Sequence, residues 1–372
     1  MISSTSSSSR ALAAVALAAA LAGGPARGDE ARAVTRVALL PIENVSGVAV
    51  PVRRLLATFE SALARQGIEV VTGAAVDAFL ERHRIRYTGA VDPLAASTAA
   101  DELAVDGIVA TVLEQYTPGD PPRIALSMRL VSTGPEPTIL WMDGFGRAGD
   151  ESPGLFKLGL VHEVERLEEQ AAAGLSRSLA RALSGAGPRA PRCGSDPTYA
   201  PKIPFRSTFL GKVRAPKVVV LPWVNHSRVR GAGEALALAA VQGLLSQERF
   251  RVVEPGVTRD LLLRYRVILQ GGVNLEQART LLGAMEADLM VAGEIFDFED
   301  PGTPAALRLS FTLSVLDGHT GAIVWQSTSH NRGDDGETLF KQGRVFTAHE
   351  AACRMVRKAI DGMMAARPPP SR

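Results

Sequence analysis

A glycine-rich segment is the first candidate for chemistry in this chain. Gly231-Ala232-Gly233 follows an apolar strand and opens a helix, which is the order found in phosphate-binding loops. However, about ten residues separate the strand from the helix, and neither Gly-x-Gly-x-x-Gly nor Gly-Lys-Ser/Thr is completed. The sequence therefore predicts no nucleotide cofactor.

Acidic residues crowd the end of a later strand and could supply oxygen ligands to a hard cation. They are Glu294, Asp297, Glu299 and Asp300. Because successive side chains of a strand point to opposite faces, these carboxylates cannot all converge on one ion. A solvated strand end is predicted instead of a metal site.

The histidines are scattered and form no metal-binding pattern such as His-Glu-x-x-His. They are His83, His162, His226, His319, His330 and His349. His226 lies near a strand end, where a base could sit in an enzyme, but neither a serine elbow nor a cysteine partner accompanies it. The sequence predicts no catalytic, metal or cofactor site, and a protein that is not an enzyme.

Two cysteines, Cys193 and Cys353, leave two alternatives open. In an oxidising compartment they could form a disulfide, and otherwise they would be two free buried thiols. Their spacing matches no metal motif.

The N-terminus has the composition of a secretory signal peptide over residues 1–28. Arg10 precedes the apolar run 11–22, which is too short to cross a bilayer. Small residues at Ala26 and Gly28 predict cleavage after Gly28, with Ala33 as a second option. No cysteine follows the run, so a lipid anchor is not expected. We expect a periplasmic protein with no integral membrane span in the mature chain. A position peripheral to the outer membrane is left open.

The charge balance argues against nucleic acid and anionic lipid as partners. The chain has 41 Lys and Arg against 39 Asp and Glu, and removal of residues 1–28 takes away Arg10 and Arg27 but no acid. The mature chain is then close to neutral, whereas phosphate binding needs an excess of clustered cations.

An internal duplication organises the rest of the chain. The segment 37–46 (VALLPIENVS) matches 218–227 (VVVLPWVNHS) at an offset of 181. Asp106 then matches Asp288, and Trp141 matches Trp325 at an offset of 184. Agreement in the same order over about 120 residues is hard to attribute to chance.

The duplication predicts five segments. They are a signal peptide (1–28), a first repeat (35–184), a Pro-rich linker (185–215), a second repeat (216–365) and a disordered tail (366–372). Phe205 and Cys193 leave open that part of the linker packs on a domain.

Hydrophobic periodicity predicts the same order of elements in both repeats. In the second repeat, strands are predicted at 217–221, 251–254, 289–298, 307–315 and 322–326, and helices at 234–245, 258–265, 275–285 and 346–364. Asn274 and Gln277 form a capping box for the third of these helices. The predicted fold class is α/β, with two tandem copies of a small mixed-sheet domain.

The second repeat resembles a known family through its LPWVNHS strand end, its FRVVEP step and its hairpin LDGHTGAIVW. It is similar to the α/β domain of the curli-secretion (CsgG) family, the N-terminal domain of TolB and the periplasmic activators of penicillin-binding proteins. The resemblance covers about residues 216–365 and, more faintly, 35–183. It implies an envelope protein that binds other proteins or oligomerises without catalysis.

Function is expected where the two repeats differ, because residues shared by both most simply serve the common fold. The loops after the first strand of each repeat differ most. The predicted partner-contact residues are Trp223, His226, Arg228, Arg230, Glu43 and Val45. The predicted function is a non-catalytic envelope adaptor. The alternatives are a ring-forming subunit of a secretion channel and, less favoured, a small-ligand receptor or enzyme.

Overall fold

The computed structural model describes residues 34–151, 159–208, 215–268, 272, 274–302, 305–338 and 342–365. The predicted signal peptide and C-terminal tail lie outside these residues. From Val34 onward the chain forms one compact unit. No helix among the described residues is long and apolar enough to cross a membrane.

In the first half of the chain, the described residues form six strands and four helices. The strands are β1 (Arg36–Leu39), β2 (Glu43–Asn44), β3 (Glu69–Val71), β4 (Gly107–Thr117), β5 (Arg123–Ser132) and β6 (Ile139–Ala148). The helices are α1 (Val52–Ala64), α2 (Ala74–Arg82), α3 (Pro93–Glu102) and α4 (Val164–Leu183).

The second half repeats this order after one additional strand. Its strands are β7 (Lys202–Arg206), β8 (Lys217–Val220), β9 (Val224–Asn225), β10 (Arg251–Val252), β11 (Leu289–Glu299), β12 (Arg308–Asp317) and β13 (Ile323–Arg332). Its helices are α5 (Ala232–Leu245), α6 (Pro255–Arg264), α7 (Leu275–Ala284) and α8 (Ala348–Met364). The predicted elements are confirmed with small changes at most of their ends, but β13 runs six residues further than predicted, and β7 and β9 were not predicted. The capping box of Asn274 and Gln277 is present at α7.

The two sheets have the same topology. The first has the order β3-β1-β4-β5-β6 with β2 beside β4, and the second has β10-β8-β11-β12-β13-β7 with β9 beside β11. The first three strands of each path are parallel, and the hairpins that follow are antiparallel. The matched aspartates have one role, since Asp106 accepts a hydrogen bond from the Arg36 N–H and Asp288 from the Lys217 N–H. Two tandem mixed-sheet α/β domains are thus confirmed.

Part of the Pro-rich segment between the repeats is ordered against the second sheet. Strand β7 pairs antiparallel with β13 at the sheet edge. A short 3₁₀ turn at Pro197–Tyr199 precedes it, and the Tyr199 side chain is fully buried. Cys193 is joined to Cys353 of α8 by a disulfide, with Cα atoms 5.9 Å apart. These contacts fix the segment to the second domain.

Helices pack on both faces of each sheet, and some of them also connect the two domains. Helices α1 and α4 pack on one face, and α2 and α3 on part of the other. In the second domain, α5 and α8 pack on one face and α6 and α7 on the opposite face. Trp141 and Trp325, which the duplication matches, are buried at equivalent hairpin positions.

Helices α5 and α8 are shared by the two sheets. Their core includes Val112, Ile139 and Met142 from the first sheet. Accordingly, α5 buries eleven of its fourteen residues, whereas the equivalent α1 buries four of thirteen. A helix that is apolar on all sides belongs inside a protein, and here it lies between two sheets.

The two domains fill one core position in different ways. In the second domain the Trp223 ring lies against Gly293, where a Cβ atom would overlap it, and it packs on Phe311 with ring centroids 5.2 Å apart. By strand register the equivalent residues of the first domain are Ile42 and Thr111. The second domain thus pairs a large side chain with glycine, where the first domain pairs two side chains of intermediate size.

Gly293→Ala should lower the free energy of unfolding by about 1–3 kcal/mol, because the added methyl group overlaps the Trp223 ring and the packed core cannot absorb it. Denaturant unfolding measures this. The double variant Trp223→Ile with Gly293→Thr imports the first domain's pair and should be more stable than the sum of the two single changes predicts. Strict additivity would contradict the proposed packing.

Candidate functional site

The loops after the first strands have the same internal geometry in both domains. Asn44 Oδ1 accepts hydrogen bonds from the backbone N–H and the hydroxyl of Ser46, at 3.1 and 2.6 Å. Asn225 Oδ1 does the same with Ser227, at 2.9 and 2.7 Å. Such Asx turns fix the loop backbone locally. The shared Asn-x-Ser pattern therefore supports the loop and leaves the residues between free to differ.

Three of the predicted contact residues lie at the junction of the domains or in the core. Trp223 is 4% exposed, so its ring is not available at the surface. Glu43 accepts hydrogen bonds from the N–H and hydroxyl of Thr88, at 2.9 and 3.1 Å. Val45 packs on the core of the second domain and lies against Gly231. These three side chains make contacts within the protein, whereas the difference between the two repeats predicts that they contact a partner.

The other three predicted residues remain on the surface. The His226 Nε2 atom lies 2.6 Å from Glu294 Oε1, and both side chains are about half exposed. The His226 ring stacks on Phe296, with centroids 6.1 Å apart and planes inclined by 8°. Arg228 and Arg230 are exposed. His226 thereby borders an uncovered face of the second sheet, and Arg228 and Arg230 follow it in the same loop.

The equivalent face of the first sheet is covered by helices of the second domain. His349, near the start of α8, lies over Gly144 and Gly146 of β6, where Cβ atoms would overlap it. Its Nδ1 atom is 2.7 Å from Glu114 Oε2. Burial lowers the pKa of His349, but the charge and hydrogen bond of Glu114 and the charge of Asp143 outweigh it and raise the pKa above its usual value.

On the second sheet the corresponding positions carry side chains that no helix covers. By register, Thr328 and His330 stand where Gly144 and Gly146 lie in the first sheet. The same face of the second sheet also carries half-buried polar residues and the exposed Phe296. The part of this face beyond the cover of α6 and α7 is made of Glu294, Phe296, Thr312, Ser314, Gln326, Thr328 and His330. We refer to these seven residues as the open face.

Buried charge pairs fasten the first sheet to the second domain. Arg129 of β5 bonds through Nε and Nη2 to the carboxylate of Glu254, and both side chains have no exposed surface. Glu254 also precedes α6 and accepts hydrogen bonds from the N–H groups of Val91 and Gly256. The Glu254 carboxylate thus links strand β5, the loop at Val91 and the start of α6.

A second buried carboxylate gathers groups in the same way. Asp300, at the end of β11, pairs with Arg123 and accepts hydrogen bonds from Gln115 Nε2 and the Ala348 N–H, each at 3.0 Å. Arg123 also donates to the Phe346 carbonyl at 3.1 Å. Both side chains of the pair are less than one-tenth exposed.

A cavity of about 330 Å³ lies between the two domains. Its polar lining comes from Tyr87, Arg129, Glu234 and Arg259, and most other lining residues are apolar. The Tyr87 hydroxyl donates to Glu234, and Arg259 stacks over the Tyr87 ring at 4.2 Å. Burial, aided by the charge of Glu43 and opposed by that of Arg259, raises the pKa of Glu234 to about 7.

The candidate phosphate and metal positions have structural roles. Gly231 and Gly233 lie against the backbone oxygens of Val45 and Trp223, where side chains would overlap. Of the acidic residues at the strand end, Glu294, Glu299 and Asp300 pair with His226, Arg308 and Arg123 respectively. Within the described ranges, no group of three or more metal-ligating side chains converges.

Sequence reasoning missed the groups that hold the domains together. Arg129 is a charged residue in the middle of the otherwise largely apolar strand RIALSMRLVS, whose only other charge is Arg123 at its first position. A cation at such a position needs a buried partner, and that requirement is the signal that could have indicated Glu254 or another acid. The cavity could not be predicted from the sequence, because its walls come from both domains.

The comparisons with known proteins concern the fold alone. No family model and no curated protein matches the chain. Among solved structures it is similar to the PelC dodecamer of Paraburkholderia phytofirmans, at 17% identity and a TM-score of 0.28, covering 39% of this chain and 86% of that chain. Lipoprotein GNA1162 of Neisseria meningitidis has 16% identity and a TM-score of 0.26, covering 32% of this chain and 80% of its own.

A third similar structure is the LpoB C-terminal domain of Escherichia coli, at 14% identity and a TM-score of 0.25, covering 32% of this chain and 85% of that chain. Each structure spans less than half of this chain. Identities and TM-scores this low assign no function.

Arg123→Ala should lower the free energy of unfolding by about 3–5 kcal/mol, because it leaves Asp300 charged and buried without its cation. Arg308→Ala is the matched control, since Arg308 begins β12 as Arg123 begins β5 and pairs with a half-exposed Glu299. That change should cost about 1 kcal/mol or less. Urea unfolding of both variants measures the difference, and equal losses would contradict the role given to Asp300.

The wild-type protein should lose stability relative to Glu234→Gln as pH rises from about 4.5 to 7. The folded-state pKa of Glu234 is raised, so its contribution is present below the unfolded value and is lost as pH passes the folded value. The total loss is at most about 3 kcal/mol. Urea unfolding across this range measures it. Glu276→Gln, at an exposed helix start, should keep the wild-type pH profile, and a pH-independent difference for Glu234→Gln would be contrary to expectation.

Proposed function

We propose that the mature chain is an exported, non-catalytic adaptor of the cell envelope that acts through contacts with other proteins. It would consist of tandem domains like those of the curli-secretion (CsgG) and TolB N-terminal families. The export of the chain is inferred from the signal-peptide composition of residues 1–28, with cleavage near Gly28. We place it in the periplasm, peripheral to the outer membrane.

The open face carries this proposal. The same face of the same fold already binds a protein surface in the first domain, where α5 and α8 cover it. In the second domain these side chains are half buried or exposed, no described helix packs on them, and the described Gly272 lines a small pocket with four of them. A sheet face that serves one copy as a docking surface is the natural candidate for an external partner in the other.

The partner should differ in shape from the helices inside the chain. Gly144 and Gly146 allow α8 to approach the first sheet closely, whereas Thr328 and His330 hold a partner further away. Hydroxyl, amide and imidazole groups on the open face favour a polar interface. Arg228 and Arg230 beside it favour acidic side chains on the partner.

A ring-forming subunit of a secretion channel is the alternative. Within the chain, the first domain contacts the second through two different surfaces, which is a head-to-tail arrangement. If the same contact formed between chains, it would generate a ring or a filament. It would require α1 of one chain to cover the open face of the next as α5 covers the first sheet. Helix α1 buries only Leu55, Phe59, Ala62 and Leu63 and carries the exposed Arg53 and Arg54. This polarity favours the adaptor.

Crosslinking in the periplasm, followed by capture of the tagged protein and mass spectrometry, tests the adaptor. Thr328→Arg on the open face and Arg228→Glu beside it should both remove the same crosslinked envelope proteins, because each disturbs shape or charge at the contact. Arg53→Glu on α1 is a charge-matched control and should leave those crosslinks in place.

Capture that is unchanged by Thr328→Arg and Arg228→Glu, in variants with wild-type thermal stability, would reject the open face as the contact. Light scattering of the purified protein separates the alternative. An assembly of defined size that Arg53→Glu disrupts would support the ring.

A further inference from the structure

The cavity between the domains has the composition of a small-molecule site. Its volume of about 330 Å³ lies within the range of ligand pockets, which is about 300–1,000 Å³. Leu238, Val241, Leu262 and Val267 supply an apolar wall from the second domain. Leu263 also lines it and is 66% exposed, so the cavity reaches solvent there. An apolar tail would replace water along this wall.

Arg129 supplies a buried donor that the protein itself does not use. Its Nε and Nη2 atoms bond to Glu254, and Nη2 also donates to the Gly89 carbonyl. Its Nη1 atom is buried and has no hydrogen-bond partner among the described residues. A buried guanidinium N–H without an acceptor is costly, and an acceptor on a ligand would satisfy it.

A second guanidinium lies at the same cavity. Arg259 stacks over the Tyr87 ring and forms no salt bridge with any residue that the structure describes. Stacking holds its planar group while leaving its N–H donors available for a carboxylate or similar anion. Glu234 faces both arginines, and its carboxyl group bonds to the Tyr87 hydroxyl.

We propose that this cavity binds an amphipathic anion, with its acidic head at Arg129 and Arg259 and its apolar tail along Leu238, Val241 and Leu262. A medium-chain carboxylate has this chemistry. Because Tyr87 and Arg129 belong to the first domain and Arg259 and the apolar wall to the second, the ligand would contact both domains at once. The proposal is independent of the adaptor role and stands on the cavity alone.

Binding should strengthen below neutral pH. The charged groups that face the head are Arg129, Arg259, Glu234, Glu43 and Glu254, and Glu254 is already paired with Arg129. When the Glu234 carboxyl is protonated, its repulsion of an anionic head is removed and it can donate a hydrogen bond. The charge of Glu43 helps to raise the pKa of Glu234 and so favours the protonated Glu234 carboxyl group.

Isothermal titration of the mature full chain with decanoate at pH 6 tests the proposal. We expect saturable binding of one decanoate per chain, weakened by about tenfold in Arg259→Gln through loss of a charged hydrogen bond. Arg264→Gln, on the same helix but outside the cavity, should bind as the wild type does. Decyltrimethylammonium, with the same tail and a cationic head, should not saturate.

Ala237→Phe places a ring in the cavity and should abolish decanoate binding. If this variant fails to fold, as judged by thermal unfolding, the head-group comparison and Arg259→Gln still decide the matter. No saturable binding of decanoate, equal binding of the two head groups, or equal affinities for wild type and Arg259→Gln would each overturn the proposal. If the wild-type protein captures no crosslinked envelope protein but still binds decanoate, the adaptor role alone is rejected.

Discussion

The buried face of the first sheet is the constraint on which the rest of the structure depends. Its apolar residues must be shielded from water, and each of its two buried arginines must pair with an anion. Glu254 and Asp300 of the second domain satisfy Arg129 and Arg123, while α5 and α8 cover the apolar surface. Separating the domains would expose α5 to water. It would also remove the partner of each buried charge, which would then have to be solvated by water. The tandem repeat is therefore one unit, even though each half has its own sheet.

Duplication followed by divergence explains why the two copies differ in role. The turns, the strand-capping aspartates and the hairpin tryptophans are common to both because either sheet needs them. The differences concentrate on one sheet face, where glycines of the first copy allow a helix to approach and Thr328 and His330 of the second do not. One copy has its docking surface filled within the chain, and the other presents it to solvent.

The junction also creates a feature that neither copy has alone. The cavity is bounded by a strand and loop of the first domain and by α5 and α6 of the second. Its polar groups are two arginines and a carboxyl group whose pKa is raised to about 7 by burial. The proposed ligand would lie in the seam between the repeats, where a bound molecule would affect how firmly the two domains are held together.

The sequence by itself determined the duplication, the α/β class and most helices and strands, because periodicity, capping and turn residues act over a few positions. The capping box at Asn274 and the alternation along β12 are such local signals. Only the tertiary structure decided that Trp223 is a core residue, that Val45 packs on the second domain, and that Arg129 meets Glu254 across 125 positions of sequence. Those outcomes depend on which faces two domains bury against each other, and no local pattern encodes that pairing.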